Sequence, residues 1–274
     1  MRKYKSFIRW AGGKAWLIPY VHELIDGLAY NNYFEPFMGG AAVFFSMETQ
    51  HKCFLSDINQ ELIDTFCALR DNCQDVIACL KQYLPDEKSY YIIRAMEPTS
   101  LEEKAARFLY LNKYSFNGLY RVNREGKYNV PYGKRQPPID YEVLISASKK
   151  LQGVEIIRRD FIEIKPLIKK KDLFFLDPPY AVGKGEKTFI GYNSKLFRLE
   201  DQYKLAELID AINENEAFFI LTNAYHPTIE EIFAKKGRKV TLERSSTIGG
   251  INSYRGKVPE YIFTNIPGRS KTNE

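Results

Sequence analysis

The sequence predicts an α/β fold in which a Rossmann-like sheet is interrupted by a mainly helical insert that carries a β-hairpin. Three stretches predict it. Leu173-Phe174-Phe175-Leu176 is a run of four apolar residues, which suits a strand covered on both faces as in a parallel sheet. Residues 33–47 read as a short strand, a glycine-rich turn and the start of a helix, the usual cradle of a nucleotide-like ligand. Residues 59–147 are polar and mostly of helical spacing, unlike the segments on either side.

At 274 residues the chain has room for one large domain or two modest ones. No apolar run reaches the ~20 residues that a membrane helix needs. Met1-Arg2-Lys3-Tyr4-Lys5 has no apolar signal core behind it. The reading is a soluble, cytoplasmic, nucleoid-associated protein without membrane partners. Cys53, Cys67, Cys73 and Cys79 form no CxxC pair and the three histidines lie far apart, so no metal site is expected. Net charge is +6, but Lys104 to Arg135 holds eight Lys or Arg against one acid, Glu125, so that the rest of the chain sums to −1. One basic block on a near-neutral body is an electrostatic footprint for nucleic acid, although a solvated basic face would look the same on charge alone.

In chain order, Phe7 to Leu17 reads FIRWAGGKAWL, where Gly12-Gly13 marks a tight turn flanked by Trp10 and Lys14. A first helix is expected over residues 19–28. Tyr33-Phe34 ends a short strand, Pro36 stops it, and the loop carries Glu35, Phe37, Gly39 and Gly40 before a helix from Ala41. There is no GxGxxG. An acid here repels phosphate and suits a cationic, amino-acid-bearing cofactor such as S-adenosylmethionine. A second strand, Lys52 to Asp57, ends in an acid 22 residues after Glu35, close to the spacing of about 20 residues at which a carboxylate accepts ribose hydroxyls. Asp57 could equally cap the helix that follows from Asn59.

In the middle, helices are expected over 74–83 and 101–112. Tyr120 to Asn123 and Tyr128 to Val130 alternate around Arg124-Glu125-Gly126-Lys127, which predicts a hairpin. It lies inside the basic block and interleaves aromatics, Asn and Arg, the types that wedge into a base stack, replace a base edge and read guanine. From residue 149 the α/β pattern resumes: a strand over 153–157, Asp160-Phe161, a short helix over 162–168, and a solvated turn at Lys169 to Asp172. Leu173 to Leu176 then ends in Asp177-Pro178-Pro179-Tyr180. Two prolines deny further ladder donors, so the chain leaves the sheet there. A carboxylate, a proline carbonyl and an aromatic face at the carboxyl end of a strand suit a planar substrate bearing an amino group. Residues 181–196 read as a loop over that substrate. A helix over 199–213, a strand over 218–222 and an antiparallel pair, 240–243 with 261–265, complete the chain before a frayed tail.

FIRWAGGK, FEPFMGG, SDINQEL and DPPY stand in the order found in the Dam-like DNA adenine-N6 methyltransferases (the D12 class, alpha group), and the resemblance runs from about Phe7 to Asn265. It implies a Rossmann-like S-adenosylmethionine-dependent methyltransferase sheet formed by residues 1–58 and 148–274, with a target-recognition domain at 59–147. It assigns cofactor contacts to Trp10, Lys14, Asp57, Asp160 and Phe161, beside Glu35, Phe37, Gly39 and Asp177. It makes Asp177, Pro178 and Tyr180 the catalytic set. FNGLYRVN and YNVPYG resemble the family's recognition hairpin, which implies that Phe116 and Asn117 fill the vacated stack and that Leu119, Arg121 and Pro131 read bases. Asn123, Lys134 and Arg255, the last in a C-terminal basic loop, join them on DNA. Some members carry a Lys before the first Trp that reads a flanking guanine. Here it is Arg9, which can make the same contact bidentately, so GATC is the expected site. The expected partner is double-stranded DNA, the expected state a monomer, and a cognate restriction endonuclease would be a genetic rather than a physical partner. Cytosine-N4 transfer is the nearest rival, but its common motif has Ser where this chain has Asp177. RNA methylation and a non-catalytic DNA-binding scaffold are the others.

Overall fold

A computed structural model describes residues 4–48, 50–134, 137–179, 197–245 and 257–268. In chain order the elements are α1 (Ile18–Ile25), β1 (Tyr33–Glu35), α2 (Ala42–Ser46), β2 (Cys53–Asp57), α3 (Gln60–Asp71), α4 (Cys73–Lys81), α5 (Glu87–Ala95), α6 (Leu101–Tyr114), α7 (Tyr141–Leu151), β3 (Glu155–Arg158), β4 (Leu173–Leu176), α8 (Leu199–Glu214), β5 (Phe218–Ala224), α9 (Pro227–Phe233), β6 (Arg238–Ser245) and β7 (Lys257–Thr264). Short 3-10 turns cover Phe116–Gly118 and Phe161–Leu167. Among the described residues, seven strands form one mixed sheet in the order β3-β2-β1-β4-β5-β7-β6. β4 runs parallel to β1 and β5, while β7 is antiparallel to both β5 and β6. The α/β fold class read from the sequence is the observed one. No described helix is long and apolar enough to cross a membrane.

The chain divides into two compact units. One comprises Met1–Ile18, Met38–Gln50 and Leu55–Arg158; the other comprises Pro19–Phe37, His51–Phe54 and Arg159–Glu274.

The first unit is chiefly helical, and four of its helices, α3, α5, α6 and α7, start on a short polar side chain that caps them. Asn59 accepts the Leu62 N–H, Asp86 that of Ser89, Ser100 that of Glu103, and Asp140 those of Glu142 and Val143. The buried faces of α3 and α6 supply Leu62, Phe66, Leu69, Phe108, Leu109 and Leu111 to its core. Helices α5 and α7 were not expected from the sequence. On α5 the buried residues Tyr90 and Ile93 alternate with the exposed Tyr91 and Ile92, which blurs the apolar stripe.

The second unit is built around β4, whose four side chains are all buried. Phe174 stacks on Phe34 of β1 at 4.6 Å, and Phe34 stacks on Phe54 at 4.4 Å with an interplanar angle of 4°. Helix α8 lays Leu205, Leu208, Ile209 and Ile212 into the same core. The register Leu173↔Phe218 to Leu176↔Leu221 aligns β4 with β5 over its whole length. Strand order reverses between β1 and β4, the switch point at which open α/β sheets bind ligands beyond the carboxyl ends of their strands. Glu35 closes β1 rather than lying in the loop after it. Helix α9 was also not expected; its first residue is Pro227, and His226 caps it.

One expectation is overturned. Asp172 is not part of a solvated turn but fully buried. Its carboxylate accepts the Asn32 N–H at 3.2 Å, the Asn32 side-chain amide at 2.8 Å and the Lys169 N–H at 2.9 Å. It therefore ties the entry of β1 to the entry of β4, and three donors offset the desolvation of its charge. Asp172→Ala should lower the unfolding free energy by about 1–3 kcal/mol, the cost of leaving such donors unmade. Urea unfolding reads it, and a shift within about 0.5 kcal/mol would mark the site as ordinary surface.

Candidate active site and nucleic-acid interface

In the second unit the chain leaves β4 at Asp177, which is half-buried, and passes through a buried Pro178 and an exposed Pro179. Tyr180, the expected loop over 181–196 and Arg255 lie outside the described residues. Thr222, fully buried on β5, donates its hydroxyl to Asp177 Oδ1 at 2.5 Å. The next residue along, Asn223, donates to Gln202 Oε1 of α8 at 2.9 Å and accepts the Ala224 N–H. Glu35, at the carboxyl end of neighbouring β1, is 2% exposed and accepts the Tyr33 hydroxyl at 3.0 Å. Burial, reinforced by the Glu35 charge, holds the Tyr33 hydroxyl well above the usual phenol range.

Phe37 and Phe161 meet at 5.1 Å, and Phe197 packs against both at 5.8 and 5.6 Å. Phe161 is buried, while Asp160 is exposed and caps the 3-10 turn by accepting the Ile162 N–H at 3.1 Å.

In the first unit Asp57 joins the glycine turn to the start of α3. Its two oxygens accept the Gly39 N–H at 3.1 Å and the Asn59 N–H at 3.0 Å. Burial pushes its carboxyl above the ordinary range, against the opposing pull of the backbone donors of Asn59, Gly39 and Ile58. The cap of α3 is Asn59, so Asp57 does not serve as that cap. Gly39 has φ +43°, and a Cβ there would lie 2.7 Å from Trp10 Cδ1; the close approach that its glycine allows is to this indole. Trp10 also stacks on Tyr120 at 5.5 Å. Lys14 is buried and donates to the Gly12 carbonyl at 3.0 Å.

The expected hairpin is present, though short. It is held by bridges between Ser115 and Tyr132 and between Val122 and Tyr128, with Asn123 N–H to Lys127 C=O at 2.8 Å and Asn129 N–H to Arg121 C=O at 3.0 Å. Asn123 shapes the turn, its side-chain oxygen accepting the N–H groups of Glu125 and Lys127. Arg121 is exposed and donates through Nε to Asn129 Oδ1 at 2.7 Å. Phe116, Asn117, Leu119, Pro131 and Lys134 are exposed.

Arg9 is exposed too, and its backbone is bracketed by the buried side chain of Asn112, which accepts the Arg9 N–H at 2.9 Å and donates to the Arg9 carbonyl at 2.7 Å. The Arg9 stem lies across Gly118, where a Cβ would meet Arg9 Cδ at 2.5 Å.

Residues that the sequence reading missed hold this face in place. Tyr90 and Arg94 donate to the Val130 carbonyl, Tyr128 to that of Leu119, and Tyr132 to that of Pro85. Arg107, counted in the basic block, points inward: it donates to the carbonyls of Ile93 at 3.1 Å and Arg94 at 2.6 Å and pairs with Glu61 at 3.6 Å.

Residues 10–247 match the family described as D12 class N6 adenine-specific DNA methyltransferase. Among similar curated proteins, the Type II methyltransferase M1.LlaDCHI of Lactococcus lactis subsp. cremoris is 34% identical over 273 residues, 95% of each chain. The DNA adenine methylase of Haemophilus influenzae is 31% identical over 95% of this chain and 93% of its own. That of Escherichia coli K12 is 28% identical over 98% of both.

The inward role of Arg107 separates charge from contact. Arg107→Ala should cost about 1.5–3 kcal/mol of stability, the range of hydrogen bonds made by a charged group. It should leave the slope of log affinity for DNA against log salt unchanged, because that slope counts phosphates neutralised. Salt titrations of DNA binding decide it; a slope reduced by about one would return Arg107 to the phosphate contacts.

Proposed function

The chain belongs to the D12 class of N6 adenine-specific DNA methyltransferases, and from that premise we propose that it is a site-specific enzyme that transfers the methyl of S-adenosylmethionine to a flipped-out adenine in duplex DNA, within GATC. The observation that carries the reading is Asp177-Pro178 at the carboxyl end of the fully buried β4, beside the switch point with β1.

The proposed chemistry needs acceptors rather than a covalent adduct. Adenine N6 is a poor nucleophile because its lone pair is delocalised into the ring. Asp177 and the Pro178 carbonyl accept its two N–H bonds and draw the nitrogen toward tetrahedral geometry, where positive charge develops. Tyr180 stacks on the target base. S-adenosylmethionine, when bound, supplies an electrophilic methyl group. The proposed contacts are Trp10, Lys14, Glu35, Phe37, Gly39, Asp57, Asp160 and Phe161, of which the buried carboxylate of Glu35 is the group that suits such a cation.

N6 lies inside the duplex, so the base must be extruded at a cost of a few kcal/mol. The exposed Phe116 and Asn117 are proposed to offset that cost by filling the gap. Leu119, Arg121 and Pro131 read bases. Asn123, Lys134 and Arg255 support the backbone, and Arg9 reads the flanking guanine. The enzyme acts as a cytoplasmic monomer. The relative from Lactococcus lactis is named a Type II methyltransferase, which supports a restriction-modification setting.

The deciding experiment is methylation of unmethylated genomic DNA with S-adenosylmethionine, mapped by sequencing for N6-methyladenine. Methylation confined to GATC is expected. Another short motif would overturn the specificity and keep the chemistry; methylated cytosine or RNA alone would overturn both. Asp177→Ala should abolish turnover while leaving DNA binding largely intact, and near-normal turnover would remove Asp177 from the reaction. Arg121→Ala should relax discrimination at one base pair by about 1–3 kcal/mol, whereas a uniform loss on all sequences would make it a phosphate contact.

A further inference from the structure

Thr222 is the one polar residue in the run Phe218-Phe219-Ile220-Leu221-Thr222 of β5, and it is fully buried. A hydroxyl in such a place is costly unless it is hydrogen-bonded. Two oxygens of the neighbouring strand are within its reach: the Leu176 carbonyl at 3.5 Å and Asp177 Oδ1 at 2.5 Å. A hydroxyl has one proton, and the distances give it to the carboxylate. The separation is that of a charge-assisted O–H···O⁻ bond, roughly twice as strong as a neutral one.

The strand pairing leaves little play in this bond. β4 and β5 are in continuous parallel register from Leu173↔Phe218 to Leu176↔Leu221, so Thr222 stands one residue past the last pair, beside Asp177. The following Asn223 is committed to Gln202 of α8 and to the Ala224 N–H, which holds the end of β5 against the helix. A valine would fill the same volume among these apolar neighbours, so the shape of the site does not call for a hydroxyl.

We infer that Thr222 is the positioning residue for Asp177: its hydroxyl holds Oδ1 and thereby sets the plane in which the carboxylate meets the substrate amino group. This rests on the reading of Asp177 as the acceptor of an N6 hydrogen. Thr222 itself touches no substrate and transfers no proton. An aspartate rotated about its last torsion would still bind the base but would no longer align N6, so the effect falls on the chemical step.

The test compares Thr222→Val, Thr222→Ser and Asp177→Ala in the full-length enzyme, with unmethylated duplex oligonucleotide and S-adenosylmethionine. It measures kcat, KM for both substrates, DNA binding by anisotropy, and the melting curve. Thr222→Val should lower kcat by about 10- to 100-fold, the range of a hydrogen bond to a charged group, with both KM values and DNA affinity unchanged within about two-fold. Thr222→Ser should recover most of that loss. If Thr222→Val keeps its kcat while Asp177→Ala loses it, the inference fails and the role of Asp177 stands. If Asp177→Ala retains turnover, the reading of Asp177 falls and takes the inference with it. A serine variant as slow as the valine one would show that a hydroxyl at this position does not carry the effect, and would also overturn it. Should Thr222→Val not fold, Thr222→Ala is judged by the same criteria.

Discussion

A strand of four residues buried on both faces has no place for a polar side chain, and the second unit is arranged around that constraint. Leu173 to Leu176 are all covered, Phe174 by the ring of Phe34. The first polar residues that the chain can carry are at the two ends, Asp172 and Asp177, and both are carboxylates. They are satisfied in different ways. Asp172 is fully buried and accepts N–H groups from Asn32 and Lys169, which makes it a clasp between strand entries. Asp177 is half-buried and meets the hydroxyl of Thr222. A neutral donor such as this hydroxyl orients a carboxylate without neutralising it. The prolines that follow take the chain out of the sheet, so Asp177 stays at its edge.

The basic face of the first unit poses the opposite problem. The side chains proposed to contact bases project from backbone that is exposed and irregular, and irregular backbone leaves carbonyls without ladder partners. The hairpin has two isolated bridges where a longer ladder would normally pair them. Tyrosine hydroxyls and arginines do so here: Val130 is reached by Tyr90 and Arg94, and Leu119 by Tyr128. Burial moves the Tyr90 and Tyr128 hydroxyls above the usual phenol range, which favours their protonated, donating form. Rigidity obtained in this way leaves the side chains of Phe116, Leu119 and Lys134 exposed.

What was legible in the sequence was what depends on local pattern. The apolar run before Asp177, the strand-turn-helix around Gly39 and the hairpin turn at 124–127 are all short-range signals, and each appears where it was expected. Illegible were the contacts made over long separations. Asn112 brackets Arg9 from 103 residues away, Asp172 binds Asn32 from 140, and Thr222 reaches Asp177 across 45. No periodicity records such pairs. Charge counting failed for the related reason that a count does not say which way a side chain points: Arg107 faces carbonyls inside its own unit. Helix α5 escaped because its exposed apolar residues, Tyr91 and Ile92, sit beside its buried ones.

Contacts over long separations also tie the motifs of the first unit to one another. Trp10 belongs to the amino-terminal motif, yet its indole packs against Gly39 of the glycine turn and against Tyr120 at the foot of the hairpin. Tyr120 in turn donates to Glu61 of α3 at 2.5 Å, two residues from the Asn59 whose N–H binds Asp57. Next to Trp10, Arg9 is locked to α6 by Asn112 and lies across Gly118 in the turn that carries Phe116. Two adjacent residues, Arg9 and Trp10, therefore touch the turn proposed for the cofactor and the loop proposed for the base stack. Close-packed neighbours of this kind do not shift independently. A change at Trp10 or Gly39 consequently cannot be read as a defect in cofactor contacts alone, because the hairpin foot rests on the same ring.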